Sequence, residues 1–210
     1  MHTSTSARPQ AAASTRRTWR VVDIVVAAVL GVAIGLVFWA WNTIGYAWFE
    51  AADALTPGFG GIAVGIWLLG GVVGGLVIRK PGAALLVEVV AAIVSMLIGN
   101  VWGVSTVLEG IAQGLGAELI FLLFLYRRFT LPVAVLAGIG AGAGAWIFEM
   151  FYGNSPNFLK TVEFNLIYLG TIVVSGAVLA GVLGWLLVRA LAATGALSRF
   201  AAGREAREEV

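Results

Sequence analysis

Crossing the hydrocarbon of a bilayer takes about 20 consecutive apolar residues, and this sequence supplies that, or nearly that, six times. The segments are Val21–Trp41, Ile62–Ile78, Gly82–Gly99, Gly110–Leu125, Leu131–Phe151 and Asn165–Val188. The second to fourth are short for a span. With 60% hydrophobic residues, only 11% charged ones and a mean hydropathy of +0.96, the chain lies outside the soluble range, where about a quarter of residues carry charge. Its 28 glycines suit close helix packing in lipid, where small residues let backbones approach. The expected fold is an all-α integral membrane protein, a six-transmembrane-helix bundle.

Charge placement sets the expected orientation. Arg8, Arg16, Arg17 and Arg20 precede the first segment. Arg79 and Lys80 join the second to the third, and Arg127 and Arg128 the fourth to the fifth. Arg189, Arg199, Arg204 and Arg207 follow the sixth. Of the 13 Lys and Arg, only Lys160 falls on the other side. The positive-inside rule then puts both termini in the cytoplasm of a cell membrane protein. Residues 1–20 read as a disordered tail, 21–190 as the membrane domain and 191–210 as a second tail. The first apolar run is long enough to span and lacks a small-residue cleavage pattern, so it reads as a retained helix. A pI near 9.3 does not point to nucleic acid, because the basic residues sit at the ends of apolar segments. The connection 42–61 is long and aromatic. It reads as an outer loop that could cover a cavity.

Several chemistries are excluded. The chain has no cysteine, and His2 is its only histidine, which removes thiolate and most histidine metal sites. No G-x-x-x-x-G-K-[ST] motif occurs, so the chain does not cradle ATP by a P-loop. No nucleophile–base set is visible, and neither an enzyme nor a bound cofactor is expected.

Polar residues inside apolar segments carry more information. Glu88 lies eight residues past Lys80, and Glu118 nine before Arg127, roughly 12–14 Å from the inner turns along a helix. Asn100, Trp102, Glu109, Gln113, Glu149 and Asn165 fall in the outer third, with Trp39 near them. Asn165, Tyr168 and Ser175 share a helix face. Acids, amides and indoles with almost no base suit a cationic or amine-bearing aromatic ligand, because carboxylates accept from N–H donors and indole faces stack on cations. An ordinary polar rim at the water interface explains the same residues. Small-residue ridges recur at four-residue spacing, as in Ala27, Gly31 and Gly35. Most such ridges pack within a chain. The first, beginning at the cytoplasmic end, is the candidate for an external partner.

The stretch RKPGAALLVEVVAAIVSMLIGNVWG (79–103), followed by EGIAQGLGAELIFLLFLYRRF (109–129), resembles the central helices of YkoE-type substrate-binding (S) components of energy-coupling factor (ECF) transporters. VVDIVVAAVLGVAIGLVFWAWN (21–42) resembles their first helix. The resemblance implies a bacterial subunit that captures thiamine or its hydroxymethylpyrimidine precursor from outside. It also implies partners: a transmembrane coupling subunit and two cytoplasmic ATPase subunits. Small residues on the first helix meet the coupling subunit in that family, which maps here onto Ala27, Gly31 and Gly35. Glu88, Asn100, Trp102, Gln113 and Glu118 match the family pattern. Two other readings stay open: a non-transporting membrane scaffold, and a proton-linked carrier using Glu88 and Glu118.

Overall fold

The computed structural model describes residues 18–152 and 156–203. The expected tail 1–17, with Arg8, Arg16 and Arg17, lies outside the described residues, as do Arg204 and Arg207. Every regular element among the described residues is helical. The elements are α1 (Val21–Leu55), a 3-10 stretch (Phe59–Leu68) running straight into α2 (Leu69–Ile78), α3 (Ala83–Ile98), α4 (Ser105–Leu123), α5 (Leu131–Phe151), and α6 (Val162–Ser175), which continues through a π-helical stretch (Gly176–Val182) into α7 (Leu183–Ala193). Five of these rods are long and apolar enough to cross a membrane: 21–55, 59–78, 105–123, 131–151 and 162–193. Ala83–Ile98 is apolar but shorter.

The rod 59–78 is the centre of the molecule. All ten residues of α2 are buried, whereas α1 buries six of its 35 residues and α4 six of its 19. The other helices wrap it in the order α1, α3, α4, α5 and α6–α7, each packing on the next, and the first and last also touch the central rod. Glycine explains the central place. A Cβ on Gly74 would meet Val87 of α3, one on Gly71 would meet Ala117 of α4, and one on Gly65 would meet Ser175 of α6. Smooth on several sides, the rod admits neighbours all round, and in lipid such close packing replaces the hydrophobic drive.

Four expectations need correction. The chain 42–61 is not an outer loop: α1 continues to Leu55, and only 56–58 turn. Hydropathy falls after Trp41, but 42–55 contains good helix formers and no proline, so the backbone carries on. The ridge Ala27, Gly31 and Gly35 does not reach the surface. It is buried against α3, where a Cβ on Gly31 would stand 2.5 Å from Val90 and one on Gly35 2.7 Å from Val94. Lipid-side exposure on α1 belongs instead to Ile24, Val25, Val29, Val32, Leu36 and Val37. Residues 191–203 do not form a free tail, because α7 runs to Ala193 and Leu197, Phe200 and Ala202 turn back into the core. Finally, α4 ends at Leu123, and the chain reverses through Leu125 and Tyr126 at positive φ. Glu118 is therefore only five residues from the inner end of its helix.

The inner end is tied by polar contacts. Asp23, fully buried at the start of α1, pairs with Lys80 of the α2–α3 turn and with Arg20. Lys80 also donates to the Thr18 carbonyl at 2.8 Å, and Trp19 Nε1 to the Pro81 carbonyl at 3.0 Å. That turn is tight because Arg79 and Gly82 take left-handed conformations, φ 59° and 84°.

Candidate functional site

The two deeper glutamates, Glu88 and Glu118, serve the backbone. Glu118 Oε1 accepts from the Gly82 amide at 2.7 Å and from the Tyr126 hydroxyl at 2.6 Å. Its Oε2 accepts from the amides of Ala84 and Leu85 at 2.9 and 3.2 Å. Those amides open α3 and have no partner of their own within the helix, and a carboxylate suits the positive end of a helix dipole. Glu88 does the same deeper in the bundle. Its Oε2 accepts from the Gly71 amide at 2.5 Å, in the first α-helical turn where the central rod changes from 3-10 to α winding. Gly70 makes room: a Cβ there would stand 2.8 Å from Glu88 Oε2. Glu88 is fully buried and lies outside the cavity described next.

At the end of the bundle opposite the basic turns, the helices part around a cavity of about 350 Å3. That is the low end of the range for small-molecule sites, roughly 300–1,000 Å3. α1 contributes Phe38, Asn42, Tyr46 and Phe49; the central rod contributes Val64 and Trp67; α3 contributes Ala92 and Ser95. Trp102, Ser105 and Thr106 come from the α3–α4 turn and the start of α4, with Glu109 and Gln113 on the next turns. The far wall is Phe148, Glu149 and Tyr152 of α5, then Asn157, Lys160, Phe164 and Tyr168.

Aromatic rings frame the space and polar groups converge in it. Trp102 meets Tyr46 and Trp67 edge-on, with centroids 5.2 and 5.7 Å apart. Tyr168 stacks on Phe164 and meets Phe49 edge-on. Trp67 Nε1 donates to Asn42 Oδ1, and Asn42 Nδ2 donates to Ser95 Oγ, both at 2.9 Å. Gln113 Nε2 donates to Glu109 Oε1 at 2.9 Å. Glu149 interacts with both Glu109 and Tyr168, so two acids and a phenol face one another across α4, α5 and α6. Among the described residues, Lys160 is the one base lining the cavity, its Nζ 4.1 Å above the Phe164 ring. Two carboxyl groups against one ammonium leave an acidic excess.

Of the ten side chains expected at a site, the structure brings Trp102, Glu109, Gln113, Glu149 and Tyr168 to this cavity. Glu88 and Glu118 bind backbone instead. Asn100 organises the α3–α4 turn, accepting at Oδ1 from the amides of Trp102 and Gly103 and from Thr106 Oγ1. Asn165 Nδ2 donates to the carbonyls of Asn157 and Thr161. Trp39 is 46% exposed on the outer side of α1. Asn42, Tyr46, Phe49, Trp67 and Lys160 were not expected there. The signal for the first three was present, because Phe38, Asn42, Tyr46 and Phe49 follow helical spacing once the helix is carried past Trp41.

Comparison with known proteins places this geometry. Residues 22–144, more than half of the chain, match a family described as "ABC-type cobalt transport system, permease component". A candidate HMP/thiamine permease protein of Bacillus subtilis (strain 168), YkoE, is 36% identical over 201 residues, 92% of this chain and 94% of that protein. A solved structure described as an S-component of an ECF transporter superposes with a TM-score of 0.77 at 33% identity, covering 91% of this chain and 95% of that one. No group of three or more His, Cys, Asp or Glu placed to hold a metal ion occurs among the described residues.

Proposed function

The chain belongs to the YkoE-type substrate-binding (S) components of ECF transporters, and on that premise we propose that its outer-end cavity captures thiamine or its hydroxymethylpyrimidine precursor for import. Membership makes it a multi-pass cell membrane protein and a transport subunit, not an enzyme. The observation that carries the ligand proposal is the convergence of Glu109, Gln113, Glu149 and Tyr168 with the rings of Trp67 and Trp102 in one cavity. Thiamine is a cation with an aminopyrimidine that donates from its exocyclic amine and accepts at ring nitrogens. Carboxyl and amide groups satisfy those edges, and an indole covers a ring face. The name of the Bacillus relative agrees with this chemistry.

The finer topology belongs to the same proposal. Counting α3 as a sixth crossing puts Arg79, Lys80, Arg127, Arg128 and Arg189 on the cytoplasmic side and opens the cavity outward. Single cysteines at Val104 and Leu159, 71% and 69% exposed, are expected to react with an impermeant thiol reagent in intact cells, and one at Thr130 is not. The reverse labelling contradicts the orientation.

The reading also gives the chain partners, a transmembrane coupling subunit and two ATPase subunits, since it has no ATP motif of its own. Uptake of labelled thiamine by cells expressing the chain is expected to fall to background when the ATPase subunits are deleted. Uptake that survives the deletion and collapses with the proton gradient would instead support a proton-linked carrier. Glu88 and Glu118, the acids such a carrier would use, are both engaged by backbone amides here.

A further inference from the structure

The central rod winds as a 3-10 helix over the ten residues Phe59–Leu68 before it becomes α2. Runs of that winding beyond three or four residues are uncommon, because its hydrogen bonds are poorly directed. This one is supported from outside. Ser175, the last residue of α6 and buried, places its hydroxyl between two rod groups. Its Oγ accepts from the Gly65 amide at 2.8 Å and donates to the Ile62 carbonyl at 2.6 Å. Those are the amide and carbonyl that one 3-10 turn pairs with each other, so the hydroxyl spans a single turn of this winding. In an α-helix the Ile62 carbonyl would belong to the Ile66 amide instead. From the other flank, Trp41 Nε1 of α1 donates to the Ala63 carbonyl at 2.9 Å. Neither Ser175 nor Trp41 lines the outer-end cavity.

The winding decides what the rod shows to that cavity. Residues three apart eclipse in a 3-10 helix, and Val64 and Trp67 both stand in the cavity wall. α winding would splay them by about 60° and shorten the ten residues by about 5 Å. The Trp67 indole would then leave Asn42, which accepts from its Nε1 at 2.9 Å, and Trp102, whose ring centre is 5.7 Å away. Resting on the reading that this cavity takes thiamine, we infer that Ser175 is a positioning residue for ligand binding. Its hydroxyl holds the 3-10 turn 62–65 and thereby aims the Trp67 indole into the cavity. The backbone of Ser175 is itself fixed on two sides. Gly65 admits it to contact with the rod, and Gly176 beside it packs on Gly138 of α5, since a Cβ on either glycine would collide with the facing carbonyl.

Calorimetric titration with thiamine of Ser175→Ala, Trp67→Ala and the double variant, beside the wild type, tests this role. Ser175→Ala is expected to weaken binding about tenfold, the order of one aromatic contact. In the Trp67→Ala background the same change costs less than about twofold, because the ring it acts through is gone. Trp41→Phe keeps an aromatic ring and removes the hydrogen bond to Ala63. It is expected to show the same pattern with a smaller loss, and it carries the same cycle if Ser175→Ala yields no folded protein. A merely structural serine would lower thermal stability and leave affinity unchanged, or cost the same affinity in both backgrounds. Either outcome overturns the assignment. Wild-type protein that gives no heat with thiamine is a different failure, which removes the ligand reading itself and this positioning role with it.

Discussion

Glu88→Ala is expected to destabilise the protein by about 3–8 kcal/mol while leaving ligand affinity within about twofold. Two losses combine. The Gly71 amide is stranded in a dry interior, which costs about 1–3 kcal/mol. The side chain of a fully buried residue also vanishes from between Gly70 and Gly114, and large-to-small changes in a core cost about 2–5 kcal/mol. Glu88→Gln should be milder, because the amide oxygen can still accept from Gly71. Thermal unfolding in detergent, followed by a binding titration on the surviving fraction, reads both quantities. Normal stability with lost affinity would return Glu88 to the ligand site. Normal behaviour in both would remove it from either role.

Replacing Glu109 and Glu149 together by glutamine is expected to have the opposite signature: affinity for thiamine falls by about 100-fold or more, and stability holds or rises. Each charge-assisted hydrogen bond contributes about 1.5–3 kcal/mol, and every 1.4 kcal/mol is about tenfold in affinity. Stability is spared because the two acids face each other, and neutral amides there keep hydrogen-bonding capacity without the repulsion that two buried carboxyl groups risk. Single changes should each give about tenfold. Unchanged affinity in the double variant would show that the acids only hold helices together, the scaffold reading.

Much of the fold was legible because hydropathy and charge speak directly about lipid. Leu131–Phe151 agrees at both ends, with Thr130 before it and Pro132 in its first turn. The central place of 59–78 was not legible. Its glycines advertised close packing without saying how many neighbours they would admit. The reach of α1 was missed for a different reason: hydropathy marks where lipid ends, whereas a helix ends where its backbone finds another partner. Hence Asn42, Tyr46 and Phe49 escaped notice while Glu109 and Glu149 did not. Glu88 and Glu118 were harder to place, because an acid in an apolar run admits a structural and a functional reading alike. Their partners are amides 17 and 33 to 36 residues away in the chain, and no periodicity within one helix reveals such a cap.

The ligand is the centre of this account, and calorimetric titration of the purified protein tests it most directly. Thiamine, hydroxymethylpyrimidine and thiamine pyrophosphate are titrated in turn. Thiamine is expected to bind most tightly, submicromolar, since a few contacts of the kinds present sum to roughly 8 kcal/mol. The free pyrimidine keeps the edge contacts but loses the thiazolium cation, and with it about 0.5–2 kcal/mol of stacking on indole. The pyrophosphate should bind worse than thiamine, because Lys160 is the one base that the described residues bring to a cavity holding two carboxyl groups. Preference for the pyrophosphate, or no heat of binding with either pyrimidine compound, would contradict the assignment.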